Sequence, residues 1–196
     1  MKGLTTFTVG LLIIGMVAVW NSQQASGQGP WVTLLDGKNM GDWNPVGDAV
    51  WRLEDGAWVS DKGRGNLVSK KSYKDFQVKA ELWVAPESNT GVYIRIQTPD
   101  RPSSKAGYEV NINDQSKNEG YGTGAIVGVA KVPDGKYAAG NRWNVFDITA
   151  RGAHIVVVLN GVTTLDIKHD AWPSGPIGLQ AGGGIVKFRK VEIREF

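Results

Sequence analysis

The stretch Phe76-Gln77-Val78-Lys79-Ala80-Glu81-Leu82-Trp83-Val84 places an apolar residue at every second position. Successive side chains of a β-strand point to opposite faces of its sheet, so one face of this segment would be apolar throughout. The segments Val92-Tyr93-Ile94-Arg95-Ile96-Gln97 and Tyr108-Glu109-Val110-Asn111-Ile112-Asn113 repeat the pattern. This two-residue period predicts three half-buried β-strands, with Val92, Ile94 and Ile96 in the core of the second and Tyr108, Val110 and Ile112 in the core of the third.

Turn signals recur along the rest of the chain. Asp55-Gly56, Asp134-Gly135 and Asn160-Gly161 are dipeptides that supply the positive φ values of tight antiparallel hairpins. No long segment has a helical period, and the best helical candidate is a single turn near residues 70–74. The chain of 196 residues therefore predicts one all-β domain, a two-sheet antiparallel jelly-roll sandwich.

The composition excludes several classes of site. The chain has no cysteine and two histidines, which excludes disulfides, thiolate metal sites and a cysteine nucleophile and leaves little for a histidine-rich metal site. The net charge is +3 without a run of like charges, so we expect no nucleic-acid partner. No loop has an EF-hand-like run of ligands. We therefore assign no cofactor, and a structural calcium ion stays an unassigned possibility of the fold.

The first residues have the organisation of a secretory signal. A positively charged start is followed by an apolar run over residues 9–20 and then by small polar residues. The run is about half the ~20 residues that span a bilayer, which makes an uncleaved anchor the weaker alternative. We expect a signal peptide over residues 1–27, cleaved near Ala25 or Gly27, and a single domain over residues 28–196. The mature protein would be periplasmic or extracellular, without membrane association.

The polar face of the three strands has an unusual composition. If the strands share a sheet, this face would present Glu81, Trp83, Tyr93, Arg95, Glu109, Asn111 and Asn113. Amides and charged groups hydrogen-bond hydroxyls, and aromatic rings stack on pyranoses. Periodicity alone favours the ordinary alternative, a sheet with one polar face in water. The combination of acids, amides, an arginine and aromatic rings favours a carbohydrate partner.

Six motifs resemble, in order, those of the 3-keto-disaccharide hydrolase family. Residues 35–43 are similar to its opening "F-D-G-K-x-L-x-x-W", residues 89–95 to "N-S-G-V-F-L-R", and residues 107–114 to "G-Y-E-V-Q-I-L-D". The others are Tyr121–Gly128, Trp143-Asn144 with Leu159-Asn160-Gly161, and Gly175–Gln180 with Phe188-Arg189. The resemblance implies a concanavalin A-like jelly roll, export in bacteria, and hydrolysis of glycosidic bonds in sugars oxidised to a ketone at C3.

Such a substrate has an acidic C2 proton, so its cleavage needs a base and a group that stabilises an enediolate. Glu109 is the candidate base, Arg95 the candidate oxyanion stabiliser, and Asp114 a second carboxylate that would protonate the leaving group or orient Arg95. Glu109 and Arg95 could instead form a surface ion pair, and Asp114 could close a turn. The candidate substrate-binding residues are Asn89, Tyr93, Asn111, Asn113, Glu81, Trp83 and Gln180.

Other functions are compatible with the same fold. A retaining β-glucanase would place Glu-x-Asp-x-Glu on one strand, whereas this chain has Glu109-x-Asn111-x-Asn113. A non-catalytic carbohydrate-binding module is the main alternative, because fold does not dictate function. A structural or adhesive surface protein is the third possibility.

Overall fold

The computed structural model describes residues 28–38, 40–117 and 120–196. This part of the chain contains strands and turns but no helix, which confirms the predicted all-β class. It also offers no helix that is long and apolar enough to cross a membrane. The predicted signal peptide, residues 1–27, lies outside the described residues. The strands are β1 (Val32–Leu35), β2 (Trp43–Gly47), β3 (Arg52–Glu54), β4 (Ala57–Ser60), β5 (Gly65–Tyr73), β6 (Phe76–Val84), β7 (Thr90–Ile94), β8 (Tyr108–Ile112), β9 (Trp143–Arg151), β10 (His154–Leu159), β11 (Val162–Lys168), β12 (Gly175–Ala181) and β13 (Val186–Glu195).

The strands form two antiparallel sheets. A five-stranded sheet has the order β2-β5-β12-β7-β8. An eight-stranded sheet has the order β11-β10-β9-β6-β13-β4-β3, and β1 also pairs with β13. Two packed sheets of this kind are the predicted sandwich.

The core lies between the two sheets. Burial along β6 alternates at every residue, and its apolar residues pack with Phe146, Phe188 and Tyr108 in one large cluster. The predicted core sets of β6 and β8 are therefore confirmed. Strand β8 is buried on both faces, because its polar residues Glu109 and Asn111 are also largely covered.

Local turn predictions were correct where the turn joins neighbouring strands. Asp55-Gly56 connects β3 to β4 and Asn160-Gly161 connects β10 to β11, and all four residues have positive φ. Asp134-Gly135 forms a turn inside the long β8–β9 connection and not a hairpin. The helical turn predicted near residues 70–74 is wrong, because pairing with β12 keeps β5 extended through Tyr73.

The predicted alternation of residues 92–97 ends at Arg95. Strand β7 stops one residue earlier, and Arg95 has a φ of 54°, in the left-handed region that side chains larger than glycine rarely occupy. Because the backbone turns at Arg95, the residues after it point to the opposite faces from those that the alternation predicts. Ile96 consequently packs with Val68 and Tyr93 in a small second cluster, apart from the main core in which Val92 lies.

Candidate functional site

The outer face of the five-stranded sheet holds a hydrogen-bonded group of three predicted site residues. Tyr93 on β7 and Glu109 on β8 are directly opposite one another in the strand register. The Gln180 amide on β12 donates from Nε2 to the Tyr93 hydroxyl and to Glu109 Oε1, both at 3.1 Å. The Glu109 residue is 8% exposed and Tyr93 3%. We call these three residues the Glu109 cluster.

Two glycines allow the Glu109 cluster to form. Gly178 lies opposite Tyr93 in the register, and a Cβ there would be 3.1 Å from Tyr93 Cβ and 2.9 Å from Ile96 Cδ1. Gly91 precedes Tyr93 on the same face, and a Cβ there would be 3.4 Å from Glu109 Cγ. Side chains at both positions would crowd the carboxylate and the phenol. Their absence lets Gln180 reach Glu109 across β7.

Burial determines the electrostatics of the Glu109 cluster. Loss of water raises the pKa of the Glu109 carboxyl, and hydrogen bonds from Tyr93, Gln180 and Ser104 partly oppose that shift. The same burial, together with the nearby carboxylate, raises the pKa of the Tyr93 phenol. Tyr93 therefore remains a protonated donor at neutral pH, and Glu109 is a stronger proton acceptor than a surface carboxylate.

Two adjoining depressions open beside the Glu109 cluster. The first, the Glu109 depression, has a volume of about 280 Å³ and is lined by Asn89, Glu109, Asn111, Asn113, Ser116, Tyr121 and Val127. The second, the Arg64 depression, has a volume of about 290 Å³ and is lined by Arg64, Gly65, Asn66, Asn89, Gln180, Ala181 and Gly182. Asn89 belongs to both walls. Each depression is near the lower limit for a ligand site, and the two together fall well within the usual range.

A larger cavity lies elsewhere and contains none of the predicted site residues. It measures about 460 Å³ and is lined largely by apolar groups between β1, β5 and β13. Its charged residues include Lys71 and Glu195, which pair with each other. Size alone favours this cavity, but the buried carboxylate and convergent amides favour the face with Glu109.

Arg95 does not face Glu109, so the predicted pairing of these two residues is wrong. Its side chain is fully buried and donates to the carbonyl oxygens of Lys74, Gly152 and Trp172. Asp75 lies 3.4 Å from Nη2. Burial lowers the pKa of the Arg95 guanidinium, and Asp75 opposes that effect. Arg95 thus holds three loops at one end of the sandwich and is not available to an enediolate.

Asp114 is also occupied by the fold. Its carboxylate accepts hydrogen bonds from the Thr123 hydroxyl and from the backbone N–H groups of Ala139 and Gly140. The residue lines a small polar recess that shares Asn113 and Ser116 with the Glu109 depression, but Asp114 itself does not line that depression. Three donors within the protein favour the loop-closing interpretation over that of a general acid.

Glu81 and Trp83 lie on the other sheet, because β6 pairs with β9 and β13. Glu81 accepts a hydrogen bond from Arg189 at 2.6 Å. Lys187 Nζ lies 5.1 Å from the centre of the Trp83 ring. Neither residue reaches the Glu109 depression, so their placement beside Glu109 is wrong.

The structure brings together six of the predicted site residues: Asn89, Tyr93, Glu109, Asn111, Asn113 and Gln180. Tyr93 is too buried to be a stacking platform, and Tyr121 is the aromatic side chain that lines the Glu109 depression. Sequence reasoning missed Tyr121 and three polar residues of the same face: Arg64, Asn66 and Ser104. No local pattern marks them, since their proximity depends on strand order. Within the described ranges, no group of three or more His, Asp and Glu is placed to hold a metal ion.

A family model of the 3-keto-alpha-glucoside-1,2-lyase-like domain matches residues 30–194. The chain belongs to this family. The match spans nearly all of the described sandwich and confirms the family indicated by the six sequence motifs. No curated protein matches the chain significantly.

Solved structures support the fold of this family member. Two proteins from Parabacteroides distasonis, each named a "putative glycosyl hydrolase", superpose with TM-scores of 0.74 and 0.71 at 19% and 24% identity. The alignments cover 86% and 85% of this chain and 94% and 100% of those chains. The carbohydrate binding module CBM66 from Bacillus subtilis superposes with a TM-score of 0.60 at 18% identity, over 85% of this chain and 100% of that chain. At these identities the likeness shows a shared jelly-roll fold, as predicted.

Proposed function

We propose that the protein cleaves 3-keto-glycosides and that Glu109 removes the proton from C2 of the sugar. The observation that supports this proposal is a buried carboxylate, held by Gln180 and Tyr93, at the wall of a polar depression. Membership of a lyase-like family supports the reaction class. A carboxylate with a raised pKa on a strand is a suitable general base, because its position is fixed and its proton affinity is increased.

The reaction balances without a cofactor. Glu109 takes the C2 proton, and the electron pair of the C–H bond forms an enediolate with the C3 carbonyl. Reformation of that carbonyl creates a C1–C2 double bond and breaks the bond from C1 to the leaving oxygen, which is protonated by solvent. Water then adds its oxygen to C1 and a proton to C2, so the net result is hydrolysis.

The other residues of the face take supporting roles in this proposal. Gln180 and Tyr93 orient the Glu109 carboxylate through their hydrogen bonds. Asn89 is exposed at the wall common to both depressions, and its amide is our candidate donor to the enediolate oxygen in place of Arg95. The Tyr121 side chain lines the Glu109 depression, and its ring is our candidate for stacking on the sugar.

The experiment that tests the function uses a chromogenic 3-keto-glucoside beside the unoxidised glucoside. We expect release of the chromophore from the keto substrate only, since the C2 proton of the unoxidised sugar is not acidic. Equal release from both would indicate an ordinary glycosidase. Glu87→Gln, which changes an exposed carboxylate, is the control for general effects of charge.

A non-catalytic carbohydrate-binding module is the second candidate. Both depressions lie on a sheet face at the surface, where several amides are available to sugar hydroxyls. Binding of glycans without turnover of any keto substrate would favour this candidate.

We also propose that the protein is exported, on the basis of the signal-like sequence of residues 1–27. N-terminal sequencing of the protein from cell fractions tests this. Export predicts a mature chain that begins near residue 26 or 28, in the periplasm or the medium, and an intact Met1 in the cytoplasm would contradict it.

A further inference from the structure

Tryptophans and cations alternate on the outer face of the eight-stranded sheet, on the opposite side of the sandwich from the Glu109 cluster. Trp83 on β6 and Trp143 on β9 are directly opposite one another in the strand register. Trp143 is 39% exposed, whereas the next residue, Asn144, is buried. Arg189 Cζ lies 4.2 Å from the centre of the Trp143 ring, and Lys187 Nζ lies 5.1 Å from that of Trp83. Both rings therefore stand beside cations on the solvent side of the sheet.

A third ring continues this arrangement. The centre of the Trp31 ring lies 4.9 Å from Lys79 Nζ and 4.8 Å from Arg194 Cζ. Lys79 and Trp83 are four residues apart on β6, roughly 13 Å at about 3.3 Å per residue. We call this set of rings and cations the tryptophan row: Trp31, Lys79, Trp83, Trp143, Lys187, Arg189 and Arg194.

The charges of the tryptophan row favour an anionic partner. Strand β13 directs more cations than carboxylates to this side of the sheet. The cations are Lys187, Arg189, Lys190 and Arg194, and the carboxylate is Glu192. Glu192 pairs with Lys190, and Glu81 on β6 pairs with Arg189. Lys187 and Arg194 form no ion pair with any residue that the structure describes, so positive charge remains beside the exposed rings.

Exposed rings next to unpaired cations match a sugar polymer that carries carboxylates. The apolar faces of pyranoses stack on tryptophan, and a carboxylate accepts charge-assisted hydrogen bonds from lysine or arginine. Glu81 and Asp147 also point to this side, and their oxygens can accept hydrogen bonds from sugar hydroxyls. Polyphosphate has neither rings to stack nor hydroxyls to donate, and a neutral glycan has no group that pairs with the cations.

We propose that the tryptophan row binds an acidic polysaccharide. Sugar rings stack on Trp83 and Trp143, and the carboxylates of the polymer pair with Lys187 and Arg194. The length of the row exceeds one sugar ring, so the partner is a chain segment and not a monosaccharide. Because the row is on the other sheet, a bound polymer leaves the Glu109 depression open. This binding site does not depend on the proposed reaction.

The test is titration calorimetry of the purified protein with polygalacturonate, dextran and polyphosphate. It is run at ~0.15 M salt, where the Debye length is about 8 Å and distant charges are screened. Trp143→Leu removes the exposed ring but keeps an apolar side chain, and Lys187→Gln removes an unpaired cation. The matched control is Lys168→Gln, an exposed lysine on the edge strand β11 of the same sheet. Thermal unfolding checks that each variant is folded.

We expect wild-type protein to bind polygalacturonate more tightly than either other polymer. Trp143→Leu and Lys187→Gln should each raise Kd about two- to tenfold, while Lys168→Gln and the turnover of a 3-keto-glucoside stay unchanged. If Trp143→Leu does not fold, Lys187→Gln decides the matter.

Absence of binding to polygalacturonate would overturn the proposal. Equal affinity for polyphosphate would show attraction by charge alone, and equal affinity for dextran would show that the cations are not used, so either result would also overturn it. The same holds if Lys168→Gln weakens binding as much as Lys187→Gln. A wild type that binds polygalacturonate without turnover of any keto substrate would refute the proposed reaction and leave this site supported.

Discussion

Replacement of Arg95 should destabilise the whole domain and not selectively remove its activity. The buried guanidinium donates from Nε to Lys74 O at 3.0 Å and from Nη1 to Gly152 O at 2.8 Å and Trp172 O at 3.3 Å. Hydrogen bonds from charged groups contribute about 1.5–3 kcal/mol each but are not additive when they share one side chain. We therefore expect Arg95→Ala to lower the free energy of unfolding by about 4 kcal/mol, a large part of the ~5–15 kcal/mol typical of a domain.

The backbone at Arg95 provides an internal control. Its φ of 54° costs a non-glycine residue roughly 1 kcal/mol. Arg95→Gly removes the same side chain but relieves this cost, so it should be about 1 kcal/mol more stable than Arg95→Ala. Urea denaturation followed by tryptophan fluorescence measures both. If the variants lost turnover but kept the stability of the wild type, the structural role of Arg95 would be refuted and a role in the site would be supported.

Three further predictions concern carboxylates. Asp114→Asn replaces an acceptor with a donor beside the Ala139 and Gly140 N–H groups. It should lower the free energy of unfolding, measured by denaturation, by about 2 kcal/mol, and the hydrogen exchange of those two backbone amides should become faster. Slower or unchanged exchange would contradict its loop-closing role. Glu81→Gln should leave turnover unchanged within twofold, and a tenfold loss would contradict its placement on the eight-stranded sheet. The raised Glu109 pKa means that the folded state binds more protons than the unfolded state between the two pKa values. Wild-type stability should therefore fall as pH rises from about 4.5 through the folded pKa. Glu109→Gln should lack that decline in denaturation curves, and a parallel decline in the variant would exclude Glu109 as its source.

The sequence predicts the strands and their buried faces well because those features are local. The nine residues of β6 alternate without interruption, so their burial follows from side-chain geometry alone. Asp55-Gly56 and Asn160-Gly161 form hairpins because each dipeptide accepts positive φ and directly joins two strands. Asp134-Gly135 has the same chemistry, but strands do not flank it.

Sheet membership is not a local property, which explains the errors at Glu81 and Trp83. Strand β6 pairs with β9 and β13, which follow it by many tens of residues. Nothing in the alternation of β6 indicates which neighbours it takes. The assumption that three consecutive strands share a sheet therefore put both side chains on the wrong face.

At Arg95 a single backbone angle makes the prediction from alternation wrong. The alternation holds through β7 and places Tyr93 on the outer face, beside Glu109. Arginine rarely adopts a positive φ, so the sequence gives no sign of the reversal that buries Arg95 and brings Ile96 to the outer face. The contacts that stabilise this angle come from three loops distant in the chain.

The proposed removal of the C2 proton by Glu109 is tested most directly with a chromogenic 3-keto-glucoside that carries deuterium at C2. The reaction is run in ordinary water, and the deuterium content of the sugar product is measured. We expect wild-type protein to release the aglycone. At early times the sugar product should already have lost its deuterium from C2. Glu109→Gln should lower kcat by about 10²–10⁴-fold while Glu87→Gln remains near wild type. Retention of deuterium in the product, or full activity of Glu109→Gln, would contradict the account.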